Sequence, residues 1–395
     1  MREFVGKRAK ELKPSGIRKF FDLAAGRSDV ISLGVGEPDF ITPWYIRDAA
    51  ITALKCGYTQ YTSNKGLAEL RAEISEYLLN RFNVGFDKEN IIITMGASEA
   101  IDLSLRAVVD EGDEILIPDP SYVSYAPIVS LLGGVPVAVP TDGDNGFKLT
   151  PESIEKVVTK KTKAMIFPYP NNPTGGIMEK EYIEKIIPVI LKHDLLVISD
   201  EIYAELTYGW THCSIASFPE LEKRVVLIGG FSKSFAMTGW RIGFVCADTP
   251  ILQAMLKIHQ YAAICAPIFS QHAALAALRL GKKDDFASVS DMREEYDKRR
   301  RFMLGALKRM GLNCFEPKGS FYVFPWVKNT GLTGEEFAME LLNKKSVAVV
   351  PGIAFGEFGK DYIRCSYAYS MEALKTAMEK IGEFVAELLT KGKQQ

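Results

Sequence analysis

The chain has 395 residues, 47% of them hydrophobic and 25% charged, and its 48 basic and 49 acidic side chains leave a formal net charge of -1. That balance lacks the basic excess expected of a chain that grips nucleic acid, and no apolar run approaches the roughly eighteen residues a membrane helix needs. The charged start, MREFVGKRAKELKPSG, has no apolar core of signal-peptide length, so a cytoplasmic protein without a membrane or nucleic-acid partner is expected.

The length exceeds what one hydrophobic core usually supports and predicts two domains. From about residue 90, short apolar runs alternate with helical patterns. Asn90–Met95 predicts a strand, and Ser98–Asp110, with Ile101, Leu105, Val108 and Val109 at helical spacing, predicts a helix. Further buried strands are predicted at Glu114–Pro118, Val135–Val139, Ala164–Pro168, Leu195–Asp200, Val225–Gly229 and Ile242–Ala247, with a helix at Glu179–His193. Continuous apolar strands joined by helices imply a mostly parallel sheet between helices, an α/β domain. The C-terminal third predicts a smaller α+β layer. It has a long charged helix from about Asp284 to Met310, strands at Ser320–Pro325, Val347–Val350 and Tyr362–Ser366, and helices at Gly334–Lys345 and Met371–Thr390. The division is a large domain at 46–284 and a small one made of 1–45 plus 285–395. Within the long helix, the basic run Lys298–Arg301 follows Glu294, Glu295 and Asp297 and is expected to be a solvated face laced with ion pairs.

The six cysteines (Cys56, Cys213, Cys246, Cys265, Cys314 and Cys365) form no CxxC pair, and the four histidines are dispersed, so no metal site is expected. Reduced, mostly buried thiols are.

An open α/β sheet binds ligands at the carboxyl ends of its strands, and several predicted strands end on unusual residues. Leu195–Tyr203 is an apolar strand that runs into Asp200, an acid that either meets a cation or donor or caps a helix. In Val225–Gly243, Lys233 stands between serines directly after a buried strand, with Arg241 eight residues on. Burial lowers an amine's pKa and favours attack on a carbonyl, which suits an imine-forming lysine. A phosphate-loop lysine is the alternative, but the GxxxxGK[ST] spacing is missing. The turn Met95-Gly96-Ala97-Ser98 offers small residues and free N–H groups to a phosphate, although Ser98 is also an ordinary N-cap candidate. The run Phe167–Gly176, with Asn171 and Asn172 before Pro-Thr-Gly, suits a loop of defined amide geometry or a plain turn.

Taken together, NNPTG, SDEIY and SKSFAMTGWRIG resemble the class I aminotransferases, pyridoxal-phosphate enzymes of fold type I, most closely the archaeal and bacterial aspartate and aromatic ones. The match runs nearly end to end, from Ile31–Phe40 to Tyr362–Tyr367. The resemblance implies pyridoxal 5'-phosphate as cofactor, held as a Schiff base on Lys233, and ping-pong transfer of an α-amino group to a 2-oxo acid such as 2-oxoglutarate. It also implies a homodimer. Asp200 would pair with the ring nitrogen, Tyr203 and Asn172 would contact the ring hydroxyl, and Tyr122 would lie on the ring face. Gly96, Ala97, Ser98, Ser232 and Arg241 would form the phosphate cradle, which Tyr61 would reach from the other subunit. Gly36, Asn172 and Arg364 would take the substrate carboxylate. Dicarboxylate-specific relatives carry a second arginine near where Tyr261 stands, which points to aromatic or broad substrates. A β-lyase of the same fold shares these motifs, and a non-catalytic regulator would need an attached DNA-binding module.

Overall fold

The computed structural model describes residues 2–14, 16, 27 and 29–392; the expected small-domain segment 1–45 therefore lies partly outside the described residues. Strand β1 (Ile31–Ser32) is followed by β2 (Ile91–Thr94), β3 (Glu114–Asp119), β4 (Val135–Pro140), β5 (Thr162–Phe167), β6 (Leu196–Asp200), β7 (Val225–Gly230) and β8 (Gly243–Cys246). Strands β2 to β8 form one seven-stranded sheet in the order β2-β8-β7-β6-β5-β3-β4. All pairs among β7, β6, β5, β3 and β4 are parallel, whereas β8 runs against both its neighbours.

Side chains alternate between two cores, as the twofold period of a strand requires. Ile91, Ile93, Leu116, Met165, Phe167, Val197, Val225 and Leu227 enter one cluster with helices Trp44–Lys55, Ala68–Phe82, Lys180–Lys192 and Ile268–Gly281. Ile92, Ile115, Ile117, Ile166, Ile198, Val226, Ile228 and Val245 enter the other with helices Gly96–Val108, Tyr125–Leu132 and Thr249–Ala262. Burial on both faces explains why the strands are continuously apolar, with each fully buried Ile or Leu contributing about 1.5–3 kcal/mol.

The C-terminal third builds a second layer. Strands β9 (Asn313–Cys314), β10 (Tyr322–Val323), β11 (Pro325–Trp326), β12 (Val347–Ala348), β13 (Val350–Pro351) and β14 (Ile363–Ser366) form short ladders: β10-β14-β13, β11-β9 and β1-β12. Helices Ala287–Arg309, Gly334–Lys345 and Met371–Gly392 accompany them. Leu33, Phe321, Tyr322, Phe337, Val347, Ile363 and Phe384 share their core with Tyr203, Leu206 and Tyr208. The parallel pairing of β1 with β12 ties the N-terminal segment to this layer.

Several boundaries differ from the expected ones. The predicted strand at Ser320–Pro325 is two strands in different ladders, split at the buried Phe324, and Val347–Val350 is likewise divided. The long helix begins at Ala287 because Asp285 and Phe286 take left-handed φ values of 50° and 57°, with Phe286 turned into the core. Its basic run forms the expected ion pairs with Glu295 and Asp297, but only half of it is a solvated face. Arg299 and Arg300 are buried, Arg299 against Asp39 and Glu295, and Arg300 against Asp297 and Glu316; Lys298 and Arg301 are exposed. The thiols are all free, but only Cys246 and Cys365 are buried, while Cys56 is exposed. Among the described residues no helix is long and apolar enough to cross a membrane, and no cluster of His, Cys, Asp or Glu could hold a metal ion.

Candidate active site

A cavity of about 630 Å³ lies at the carboxyl edge of the large sheet and is closed on the far side by the C-terminal layer. Sheet register explains what meets there. Thr94 of β2 and Gly230 of β7 both stand opposite Gly243 of β8, so the residues after β2 and β7 and those before β8 emerge at one edge. The reversed direction of β8 thus delivers Arg241 beside Met95–Ser98 and Ser232–Lys233. Strands β5 and β6 add Asn172 and Asp200 from the same edge.

Gly36, Ala97, Ser98, Tyr122, Asn172, Asp200, Tyr203, Ser232, Lys233, Arg241 and Arg364 all line this cavity. Gly96 sits directly behind its wall. Tyr61 does not line it and is 78% exposed. Ser98 caps nothing: the helix starts at Gly96, two residues before the expected bound, with Met95 at the cap position. Nor does Asp200 cap a helix, since its Oδ1 accepts only the N–H of Ile202, at 3.2 Å, in a turn.

Asp200 is buried at the tip of β6, where Tyr125 Oη donates to its Oδ2 at 2.7 Å. Burial raises its pKa, and the Tyr125 hydroxyl and the Ile202 N–H counteract that. No basic side chain hydrogen-bonds it among the described residues, so the site presents a desolvated carboxylate ready for a cationic ligand atom. Lys233 Nζ donates to the Gly36 carbonyl at 2.7 Å. Burial lowers its pKa to about 8; Arg364 and Arg241 push the same way, and Glu37 and Asp200 oppose. A large share of this amine is therefore neutral near pH 8, as a nucleophile or base must be.

The anionic end of a ligand has its own cradle. Gly96 has φ 78°, and a Cβ there would lie 2.7 Å from Arg241 Nη2, so only glycine lets the helix N-terminus and the guanidinium close on the same point. Arg241 is itself left-handed, with φ 50°, a conformation that costs about 1–2 kcal/mol in a non-glycine residue. It donates to Thr238 O at 2.9 Å. Helix N–H groups beside a fixed arginine make a phosphate-type site.

Arg364, on β14, enters from the opposite wall. Its Nη1 donates to Asn172 Oδ1 at 2.8 Å, Nη2 donates to Gly34 O, and its buried Nε has no partner. The guanidinium lies 4.3 Å from the Tyr322 ring centre and 4.8 Å from that of Phe355. A carboxylate would complete it.

Sequence reasoning missed Tyr125, Tyr322 and Gly34. Tyr322 shares a 3.0 Å hydrogen bond with the Tyr203 hydroxyl, and burial raises the Tyr203 pKa well above its usual value. Tyr125 stands three residues after Tyr122, at the start of helix Tyr125–Leu132, and that spacing was a legible signal. No local pattern marks Tyr322, which reaches the site from the far layer.

An α/β edge that holds a low-pKa lysine, a buried carboxylate, a helix N-terminus beside an arginine and a half-satisfied second arginine has the makings of an enzyme site for a small anionic ligand. The chain belongs to the class I and II aminotransferases: the family model matches residues 28–381. It is 50% identical to the Bacillus subtilis protein YugH over 98% of this chain and 99% of that one. It is 47% identical to the aspartate aminotransferase of Pyrococcus abyssi, covering 95% and 97% of the two chains. The solved aromatic aminotransferase of Pyrococcus horikoshii superposes with a TM-score of 0.89 at 44% identity, covering 94% of this chain and 99% of its own. The protein is an aminotransferase.

Proposed function

We propose that the chain is a pyridoxal-5'-phosphate-dependent, homodimeric, cytoplasmic aminotransferase that moves the α-amino group of an aromatic amino acid to a 2-oxo acid such as 2-oxoglutarate. The observation that carries this reading is the placing of Lys233 Nζ in one cavity with the unpaired Asp200 carboxylate and the half-satisfied Arg364 guanidinium. The residues fit the cofactor: an anion cradle at Gly96, Ala97, Ser98, Ser232 and Arg241, a buried acid for a ring nitrogen, and the Tyr203 and Asn172 side chains for a ring hydroxyl, with Tyr122 against the ring face. When bound, pyridoxal phosphate supplies an aldehyde carbon for amine capture and a ring that spreads the charge left on a deprotonated Cα.

Asp200 would hold a ring nitrogen protonated by charge pairing, which its desolvated position strengthens. Lys233 would hold the cofactor through Nζ, and its amine, with a pKa lowered to about 8, would serve as the base that takes the Cα proton and the acid that returns it. Arg364, with Asn172 and Gly36, fixes the substrate carboxylate so that Cα faces that amine. The roles of Gly36 and Arg364 draw the C-terminal layer onto the large sheet and exclude water. The division into a large domain at 46–284 and a small one at 1–45 plus 285–395 gains support from the pairing of β1 with β12. Tyr61, exposed in one chain, is assigned to the cofactor phosphate of the partner subunit.

The substrate side chain is read from charge. Lys233, Arg241 and Arg364 are the cations lining the cavity among the described residues, and each already has a task. Tyr261, 88% exposed, brings no charge. Among the described residues no cation lining the cavity remains for a second carboxylate, which favours tyrosine and phenylalanine over aspartate. The test is kcat/KM for these three amino acids with 2-oxoglutarate, with Lys233→Ala as control. Transfer should be fastest for the aromatic donors and should fall by orders of magnitude in the variant. Faster aspartate turnover overturns the substrate class, and release of pyruvate and ammonia from an amino acid with a leaving group at Cβ, such as a cysteine S-conjugate, with no transfer from the three donors, overturns the reaction.

A further inference from the structure

Residues 33–42 form a strap between the two layers. Leu33 is bonded to Ala348 and Ser366 in the C-terminal layer, and at the other end the Thr42 hydroxyl donates to Ala236 O and accepts from Trp240 Nε1 at 3.0 Å, on the loop that carries Lys233. In between, Gly34 O accepts from Arg364, Gly36 O accepts from Lys233 Nζ at 2.7 Å, and the Thr238 hydroxyl donates to Glu37 Oε2 at 3.2 Å. Gly36 is pressed so close to Tyr322 that a Cβ would lie 2.3 Å from its hydroxyl. Tyr322 therefore crowds the strap at Gly36, which leaves its outer side to be held by another contact.

Arg299 is placed to do so. It projects from the long helix Ala287–Arg309, with its guanidinium 5.5 Å from the Phe40 ring centre and 5.6 Å from that of Tyr296. Its Nη1 donates to both carboxylate oxygens of Asp39 at 2.9 Å, and its Nε to Glu295 Oε1 at 3.0 Å. The Tyr296 hydroxyl adds a 3.5 Å contact to Asp39 Oδ1. Arg299 is buried while the Asp39 side chain stays 28% exposed, so their link is partly sheltered from the screening that weakens fully exposed ion pairs. Resting on the aminotransferase reading, we propose that Asp39 and Arg299 are positioning residues: their ion pair clamps the strap from outside and so holds the Gly36 carbonyl on Lys233 and Gly34 on Arg364.

The experiment uses the holoenzyme loaded with pyridoxal phosphate and the variants Asp39→Asn, Arg299→Gln and their double. Each single variant should lose about tenfold in kcat/KM for the amino donor, the scale of a modest misplacement of reacting groups. The double should lose little more than either single, because both break one contact. Thermal midpoints and cofactor content should stay near the parent's, and Asp39→Glu should restore part of the loss. The pH midpoint of the holoenzyme's visible absorbance should shift, because Gly36 and Glu37 set the surroundings of Lys233; a purely structural pair would leave it in place. Single variants within twofold of the parent with an unmoved midpoint overturn the proposal. So do losses that multiply in the double or merely follow the thermal midpoint. A parent enzyme that binds the cofactor but transfers no amino group would defeat the aminotransferase reading alone, since the absorbance midpoint still tests the clamp.

Discussion

Two halves of the site are made in different ways. The sheet half, comprising Met95–Ser98, Asn172, Asp200 and Ser232–Arg241, stands on strand ends whose spacing is fixed by ladder hydrogen bonds and by two apolar cores. The opposite half, comprising Gly34, Gly36, Tyr322 and Arg364, stands on two- to four-residue strands and a strap, joined by short ladders and by hydrogen bonds over separations of up to 330 residues. In the proposed function the sheet half would be the platform for the cofactor and the opposite half the clamp for the substrate. Where a site must hold one ligand through many turnovers and release another each time, this partition puts the rigidity where it is needed.

Breaking the clamp should cost the most without disturbing the platform. In Arg364→Lys the planar fork is replaced by a compact ammonium. We expect kcat/KM for α-amino acids to fall roughly 30- to 1000-fold, corresponding to about 2–4 kcal/mol of lost charge-assisted bonding. Visible absorbance of the bound cofactor should stay close to normal. Near-parent kcat/KM, or an equal loss for amines that lack a carboxylate, would erase the distinction between the halves.

A smaller loss is expected when the platform itself is touched at Tyr125. Tyr125→Phe removes the hydroxyl that donates to Asp200. One hydrogen bond to a charged group contributes about 1.5–3 kcal/mol, so a drop in kcat of roughly tenfold or somewhat more is expected. The sign on pH follows from burial, which already raises the Asp200 pKa: without the hydroxyl it rises further, and the acidic limb of the kcat profile moves to higher pH. A profile unchanged in position would show that Tyr125 merely packs.

The least intrusive measurement concerns the amine where the halves meet. A lysine whose pKa is lowered to about 8 is mostly neutral above that pH and mostly charged below it. The rate at which cofactor-free protein captures pyridoxal phosphate covalently should thus rise through a midpoint near 8, and borohydride reduction followed by peptide mass should place the adduct on Lys233. A midpoint near that of an ordinary lysine would mean that burial and the two arginines do not act on this group.

The sequence by itself determined the platform. Continuous apolar runs implied strands covered on both faces, and each motif lay within a few residues of a strand end, where chain direction alone fixes its position. Lys233, Asp200, Asn172 and Arg241 were legible for that reason. The clamp emerges only from long-range contacts. Tyr322 and Gly34 carry no local signature, because their roles arise from contacts with residues far away in the chain. The basic run at Lys298–Arg301 shows the same limit from the other side. Composition suggested a solvated, charged face, yet Arg299 and Arg300 are buried because acids from distant segments, Asp39 and Glu316, meet them. A strand's burial is written in its own residues, but whether a charge lies in water or against a partner depends on what the fold brings up beside it.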